Sequence, residues 1–258
     1  MSTNGSSFFN VMPPVTKNLI IINVIIWLAM MIVPGNFSEN VIKYCGLHYI
    51  QATDFNPAQL LTYMFIHSTN GIAHLFFNMF TLFMFGITLE RVLGARRFLF
   101  YYISCGIGAA IIQECVWALM SDSLVNKHVE MMLADYAMSQ HITMQQALQS
   151  VPQATLHHLS SLVENSLITV GASGAIYGIL LAFGMLFPNM PLYLMFIPVP
   201  IKAKWMVIGY GLIEISLGLA SANDGVAHFA HLGGMIFGLL IILYWKHNGL
   251  FKGNGGYY

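Results

Sequence analysis

Charge is what this sequence has least of. Only 8% of its 258 residues are Asp, Glu, Lys or Arg, against about 25% in an ordinary soluble domain. The ten basic and ten acidic residues cancel, so the chain lacks the electrostatic footprint of a nucleic-acid binder. Cysteine is nearly as scarce. Cys45 in a loop and Cys105 and Cys115 in one apolar run give no disulfide framework. Met1 to Asn10 is polar and lacks the basic start and small-residue cleavage site of a secretory signal. Period-two alternation is missing too, which excludes an outer-membrane barrel. No His-Glu-x-x-His run occurs, and no metal is expected.

What is present is apolar sequence. Hydrophobic residues make up 57% of the chain, in runs too long for core strands. The expectation is an all-α polytopic membrane protein, one domain over residues 1–258, with six spans. The spans are predicted at about Asn18 to Val33, Ile72 to Leu89, Phe98 to Leu119, Gly171 to Phe187, Trp205 to Ala220 and Val226 to Trp245. Lys17, Arg91, Arg96, Arg97, Lys202, Lys204, Lys246 and Lys252 then fall on one side, and only Lys43 and Lys127 on the other. Basic residues mark the cytoplasmic side. Both termini are therefore expected in the cytoplasm, and a cell (inner) membrane is the expected location.

Two external segments are long. Residues 34–71 carry apolar patches at Tyr44, Tyr49, Ile50 and Phe55 and are expected to lie on the membrane surface or on the bundle. Residues 120–165 form an insertion. Val125, Val129, Met132 and Tyr136 make one helical stripe, and Met144, Ala147, Leu148 and Val151 another. Thr143 with Gln146 resembles a capping box. Two or three short amphipathic helices are predicted there, either as a structural insertion or as a substrate or partner site.

One serine stands out. Ser173 sits in Gly171-Ala172-Ser173-Gly174. The apolar stretch from Ser173 to Phe187 spans about 22 Å at ~1.5 Å per residue, short of the about 30 Å of a bilayer core. Ser173 thus starts a helix part-way into the membrane, toward the external face. Span six enters from the same face, and His228 lies at comparable depth. A serine hydroxyl is a weak nucleophile until a base takes its proton, and histidine suits that task near neutral pH. Depth and side fit a Ser173–His228 dyad; they fit equally two buried polar residues that share one hydrogen bond.

Other residues tilt the balance. Gly174 and Gly178, and Gly234 and Gly238, recur at the spacing that lets membrane helices approach closely. Tyr177 shares a face with Ser173 and can pack beside the His228 imidazole, or serve as ordinary core. His74 and Asn78 share a face near the outer end of span two. With the Ser173 backbone N–H they would make a hole for the oxyanion of acyl transfer; hydrogen bonding between helices is the alternative. His228, His231 and His74 would be the ligands of a metal site, which is not expected here. Glu114 and Glu214 are intramembrane carboxylates, each expected to be paired or neutral. His67 reads as a loop or cavity-rim residue, and His157 and His158 as solvated.

Together these stretches resemble the rhomboid family of intramembrane serine proteases. The resemblance is carried by Gly171-Ala172-Ser173-Gly174 with Tyr177, by His74-Leu75-Phe76-Phe77-Asn78, and by Ala227-His228-Phe229-Ala230-His231-Leu232-Gly233-Gly234. Glu90-Arg91-Val92-Leu93-Gly94 also looks like the family's inner end of span two. The resemblance implies a rhomboid-like bundle. It implies Ser173 as nucleophile, His228 as base, His74 and Asn78 as oxyanion donors and Tyr177 stacked on the base. It implies no third carboxylate, metal or cofactor. The implied activity is endoproteolysis of membrane-protein substrates, within a transmembrane helix near the external face of the lipid bilayer. Three features depart from the family pattern. Ala58-Gln59 stands where a tryptophan followed by arginine or glutamine is common, His67 is further than usual from His74, and the insertion is long. A helix-binding relative without activity, or a transporter, would be the competing functions.

Overall fold

The structure, a computed structural model, describes residues 12–193, 199–220 and 226–251. Asp224, Lys252 and the polar stretch Met1 to Asn10 lie outside the described residues. The chain is mostly helical. Four helices among the described residues are long and apolar enough to cross a membrane: α1 (Pro14–Ile32), α4 (Ala73–Leu93), α5 (Ala95–Gln140) and α10 (His228–His247). The short α2 (Phe37–Cys45) and α3 (Gln59–Thr62) lie between α1 and α4. After α5 come α6 (Met144–Ser150), α7 (Gln153–Ser166), α8 (Ser173–Leu186) and α9 (Ala203–Leu219). α8 is apolar but shorter than the four, as anticipated for a helix that starts below the surface. It is buried along most of its length and packs on α5, α9 and α10.

Glu90 ties the end of α4 to the start of α1. Its carboxylate is buried and accepts from Val15 N at 2.9 Å, Thr16 N at 2.7 Å and Thr16 Oγ1 at 2.8 Å. These are first-turn donors of α1, left without helical acceptors. The carboxylate satisfies them and sits at the positive end of the helix dipole. Gly94 separates α4 from α5 at φ +79, a conformation that favours glycine.

The long insertion differs from the expectation. Its first part does not form a separate helix; α5 runs unbroken for 46 residues, about 69 Å at 1.5 Å per residue. No glycine or proline falls between Met120 and Gln140, so nothing in the sequence stops the helix. It ends at His141, in the left-handed region at φ 52. The predicted stripe is also shifted: Leu133 and Ala137 are buried, whereas Met132 and Tyr136 are exposed. The capping box is present, with Gln146 N donating to Thr143 Oγ1 and Gln146 Oε1 accepting from Thr143 N. α6 and α7 fold back onto α5.

Residues 34–71 pack on the bundle rather than hanging free. Strand β1 (Leu47–His48) pairs antiparallel with β2 (Ile168–Thr169), just ahead of α8. A second short ladder joins β3 (Pro191–Leu192) to β4 (Ile201–Lys202). Gln59 is the anchor of this segment. Its Oε1 accepts from His48 N and Asn56 N, and its Nε2 donates to Asp54 O at 2.9 Å. Glu114 helps by accepting from Ile50 N at 2.8 Å. Tyr49 is buried edge-on to Trp117, while Tyr44 and Ile50 stay exposed.

A candidate serine–histidine active site

The site is set by how closely α8 and α10 approach. A Cβ on Gly234 would collide with the carbonyl oxygen of Gly174, and one on Gly178 would stand 3.1 Å from Gly234 O. Gly238 abuts Tyr101, whose hydroxyl donates to Gly178 O at 2.7 Å. The two helices therefore run in the same direction, with residue 174 beside 234 and residue 178, one turn further along, beside the Gly234 carbonyl. At Gly234 the neighbour is backbone, and at Gly178 and Gly238 the Cys105 and Tyr101 side chains of α5 also fill the space a Cβ would need.

That register decides which histidine meets the serine. Ser173 is one residue before Gly174. His231 is three before Gly234, and His228 six before. Along a helix these offsets are about 4.5 and 9 Å, so His231 stands near the level of Ser173 and His228 a turn above it. The coordinates agree: Ser173 Oγ and His231 Nε2 lie 2.8 Å apart, with the hydroxyl placed to donate to the ring nitrogen. The expected Ser173–His228 pairing is thus corrected. His228 is the first residue of α10, and its Nδ1 donates instead to Glu214 Oε2 at 2.6 Å. Tyr177 stacks on His231, not on His228, with ring centroids 4.2 Å apart and planes within 8°.

Glu214 of α9 is buried beside both histidines, at 5% exposure. Its Oε1 accepts from the Tyr177 hydroxyl. Its Oε2 takes the His228 bond and lies 3.0 Å from His231 Nδ1, off the line of an ideal N–H···O bond. A carboxylate therefore stands behind the histidine, contrary to the expectation that the site holds none. The donor atoms of Glu214, His228 and His231 fall within 4.8 Å of one another, and zinc accepts such a set. Here both ring nitrogens meet on the carboxylate oxygen itself, at hydrogen-bond separations.

Span two supplies the remaining groups. Gly171 holds φ +125, and a Cβ on it would come within 2.8 Å of His74 Nε2. A glycine there lets the His74 ring lie against the turn that leads into Ser173. Gly171 N donates to Tyr63 O at 2.9 Å and fixes that turn. Asn78 Nδ2 donates to His74 O at 2.8 Å. Asn78, Ser173, Tyr177 and Tyr210 share the wall of a cavity of about 610 Å³, whose other walls are mainly apolar side chains of α4, α8 and α9. His67 is fully buried with its ring centroid 5.0 Å from that of His74. Burial, and then the neighbouring His74, push its imidazole down to about 3.

The bundle and this cluster define a helical membrane protein in which a half-buried serine meets a buried histidine. A family model described as the Rhomboid domain matches residues 55–247, well over half of the chain. The chain belongs to the rhomboid family. It is also similar to RHOMBOID-like protein 4 of Arabidopsis thaliana, 28% identical over 186 residues. That match covers 71% of this chain and 32% of the relative, so the matched part spans about a third of that protein.

Proposed function

We propose that this chain is an intramembrane serine endopeptidase that cleaves transmembrane segments of other membrane proteins near the external face. The observation that carries the reading is the 2.8 Å contact of Ser173 Oγ with His231 Nε2. A half-buried serine bonded to a base, with an aromatic ring stacked on that base, is the arrangement of an activated nucleophile.

The chemistry follows from the geometry. His231 Nε2 takes the Ser173 proton as Oγ attacks the scissile carbonyl, and later delivers it to the leaving amine. The negative oxygen that forms is met by the Ser173 backbone N–H, the Asn78 amide and the His74 ring. The cavity of about 610 Å³ between α4 and α9 has Ser173 in its wall, which supports entry of an unwound apolar segment from the lipid side. Unwinding is required because helical hydrogen bonds shield the scissile amide. A second cavity, of about 400 Å³, is bordered by Trp117, Leu167, Val226 and His228. It is ample for water, which must reach the acyl-enzyme. In this reading α8 and α9 complete six crossings, both termini are cytoplasmic, and the partners are the bilayer and a substrate helix.

The test is cleavage of a single-span reporter in micelles, with the cut mapped by mass spectrometry. Ser173→Ala and His231→Ala are each expected to abolish cleavage. A fluorophosphonate probe is expected to label wild type at Ser173 only. Full activity in Ser173→Ala overturns the proposal.

A further inference from the structure

Glu214 has no part in the serine–histidine chemistry as derived above, yet it is the most completely held side chain in the site. Three groups from two helices converge on its carboxylate: the Tyr177 hydroxyl on Oε1, and His228 Nδ1 and His231 Nδ1 on Oε2. A buried ionised carboxylate is costly unless paired and hydrogen-bonded. Two of its partners are also tied to the base. Tyr177 stacks on His231, and His228 stands one turn before it on the same helix.

We infer that Glu214 is a positioning residue for the reaction, the third member of a Ser173–His231–Glu214 chain that His228 and Tyr177 lock in place. This rests on the protease reading. Oε2 stands 3.0 Å from His231 Nδ1 and favours the proton there, so the ring presents a bare Nε2 to Ser173. When Nε2 takes the serine proton, the imidazolium faces a carboxylate 3.0 Å away. The carboxylate stays ionised and takes no proton; the proton on Nε2 leaves with the amine. The Nδ1–H direction is off line in the free protein, and such bonds commonly tighten only when substrate is bound. His228 supplies the second bond that keeps Oε2 from turning away. The titratable groups that face His231 are then Glu214, His228, Tyr177 and His74.

The test compares wild type, Ser173→Ala, Glu214→Gln and Glu214→Asp on the reporter in micelles. Cleavage by Ser173→Ala overturns the protease reading, whatever Glu214 does. With that control inactive, Glu214→Gln is expected to lower kcat about 10- to 100-fold, as loss of a hydrogen bond to a charged group does, with KM within about threefold of wild type. Glu214→Asp, which keeps a carboxylate, is expected to recover part of that loss. Wild-type kcat in Glu214→Gln, or a change confined to KM, overturns the inference and leaves the protease standing. If Glu214→Gln does not fold, ¹⁵N-histidine magnetic resonance of the wild-type protein decides. His231 is expected to carry its proton on Nδ1 with Nε2 unprotonated. The opposite tautomer overturns the inference.

Discussion

Two histidines one turn apart on α10 make a sharp experiment. His231→Ala removes the group 2.8 Å from Ser173 Oγ. A positioned general base contributes about 10²- to 10⁴-fold, or about 3–5 kcal/mol at 1.36 kcal/mol per decade. His231→Ala is therefore expected to fall to background. His228→Ala leaves the serine–histidine contact in place and removes one bond to Glu214. The ring of His228 is centred 6.4 Å from that of His231 and perpendicular to it, so the loss reaches Ser173 indirectly, through groups such as Glu214. Turnover is expected to drop by no more than about 10-fold. The assay is reporter cleavage at matched concentrations of folded protein, alongside the rate of fluorophosphonate labelling. Full activity in His231→Ala with none in His228→Ala would refute the register argument as well as the assignment.

Other expectations are as specific. Asn78→Ala should lower kcat about 10²-fold, as loss of an oxyanion donor does, with KM within about threefold; unchanged kcat would remove Asn78 from that role. Gly234→Ala drives a methyl into the Gly174 carbonyl and should cost about 1–3 kcal/mol, read as a lower melting temperature together with slower Ser173 labelling. Glu90→Gln weakens three bonds to the start of α1 and should cost about 2 kcal/mol, seen in thermal unfolding. His67 is held down to about 3, against about 6.5 when unfolded. Between those values the unfolded state binds the extra proton, so stability falls as pH drops through this window, by about 2 kcal/mol at pH 5. His67→Phe should flatten the decline in melting temperature from pH 7 to pH 5, and an unaltered decline would contradict this account.

Much of the fold was legible because membrane burial writes itself into composition. α1, α4, α8 and α10 fall within a few residues of the expected spans, and apolar length alone located them. The continuous α5 was not legible from apolar length, because its polar half reads as a new element. The evidence against a break was an absence, the missing glycine and proline between Met120 and Gln140. The β1–β2 ladder was beyond reach for another reason. Each strand has two residues, too few for any alternation to register, and the pairing joins positions more than a hundred residues apart.

The site was legible in kind and misread by one turn. Depth below the surface cannot separate His228 from His231, since three residues amount to about 4.5 Å. The glycines can. Gly174 and Gly178 meet the backbone of Gly234, so Gly174 and Gly234 serve as a common origin for both helices. Counted from it, Ser173 is one residue up and the histidine at its level is His231. Tyr177 supports the same choice, because it lies three residues past Gly174 and its ring rises back toward the helix start. Glu214 was harder, since the glycine contact of α8 with α9, Gly184 against Val207, lies well away from Ser173. Its signal was chemical: a carboxylate in an apolar helix must find donors, and two ring nitrogens and a phenol on the facing helices are the donors at its level. The same small residues that bring the helices together thus also set which side chains meet.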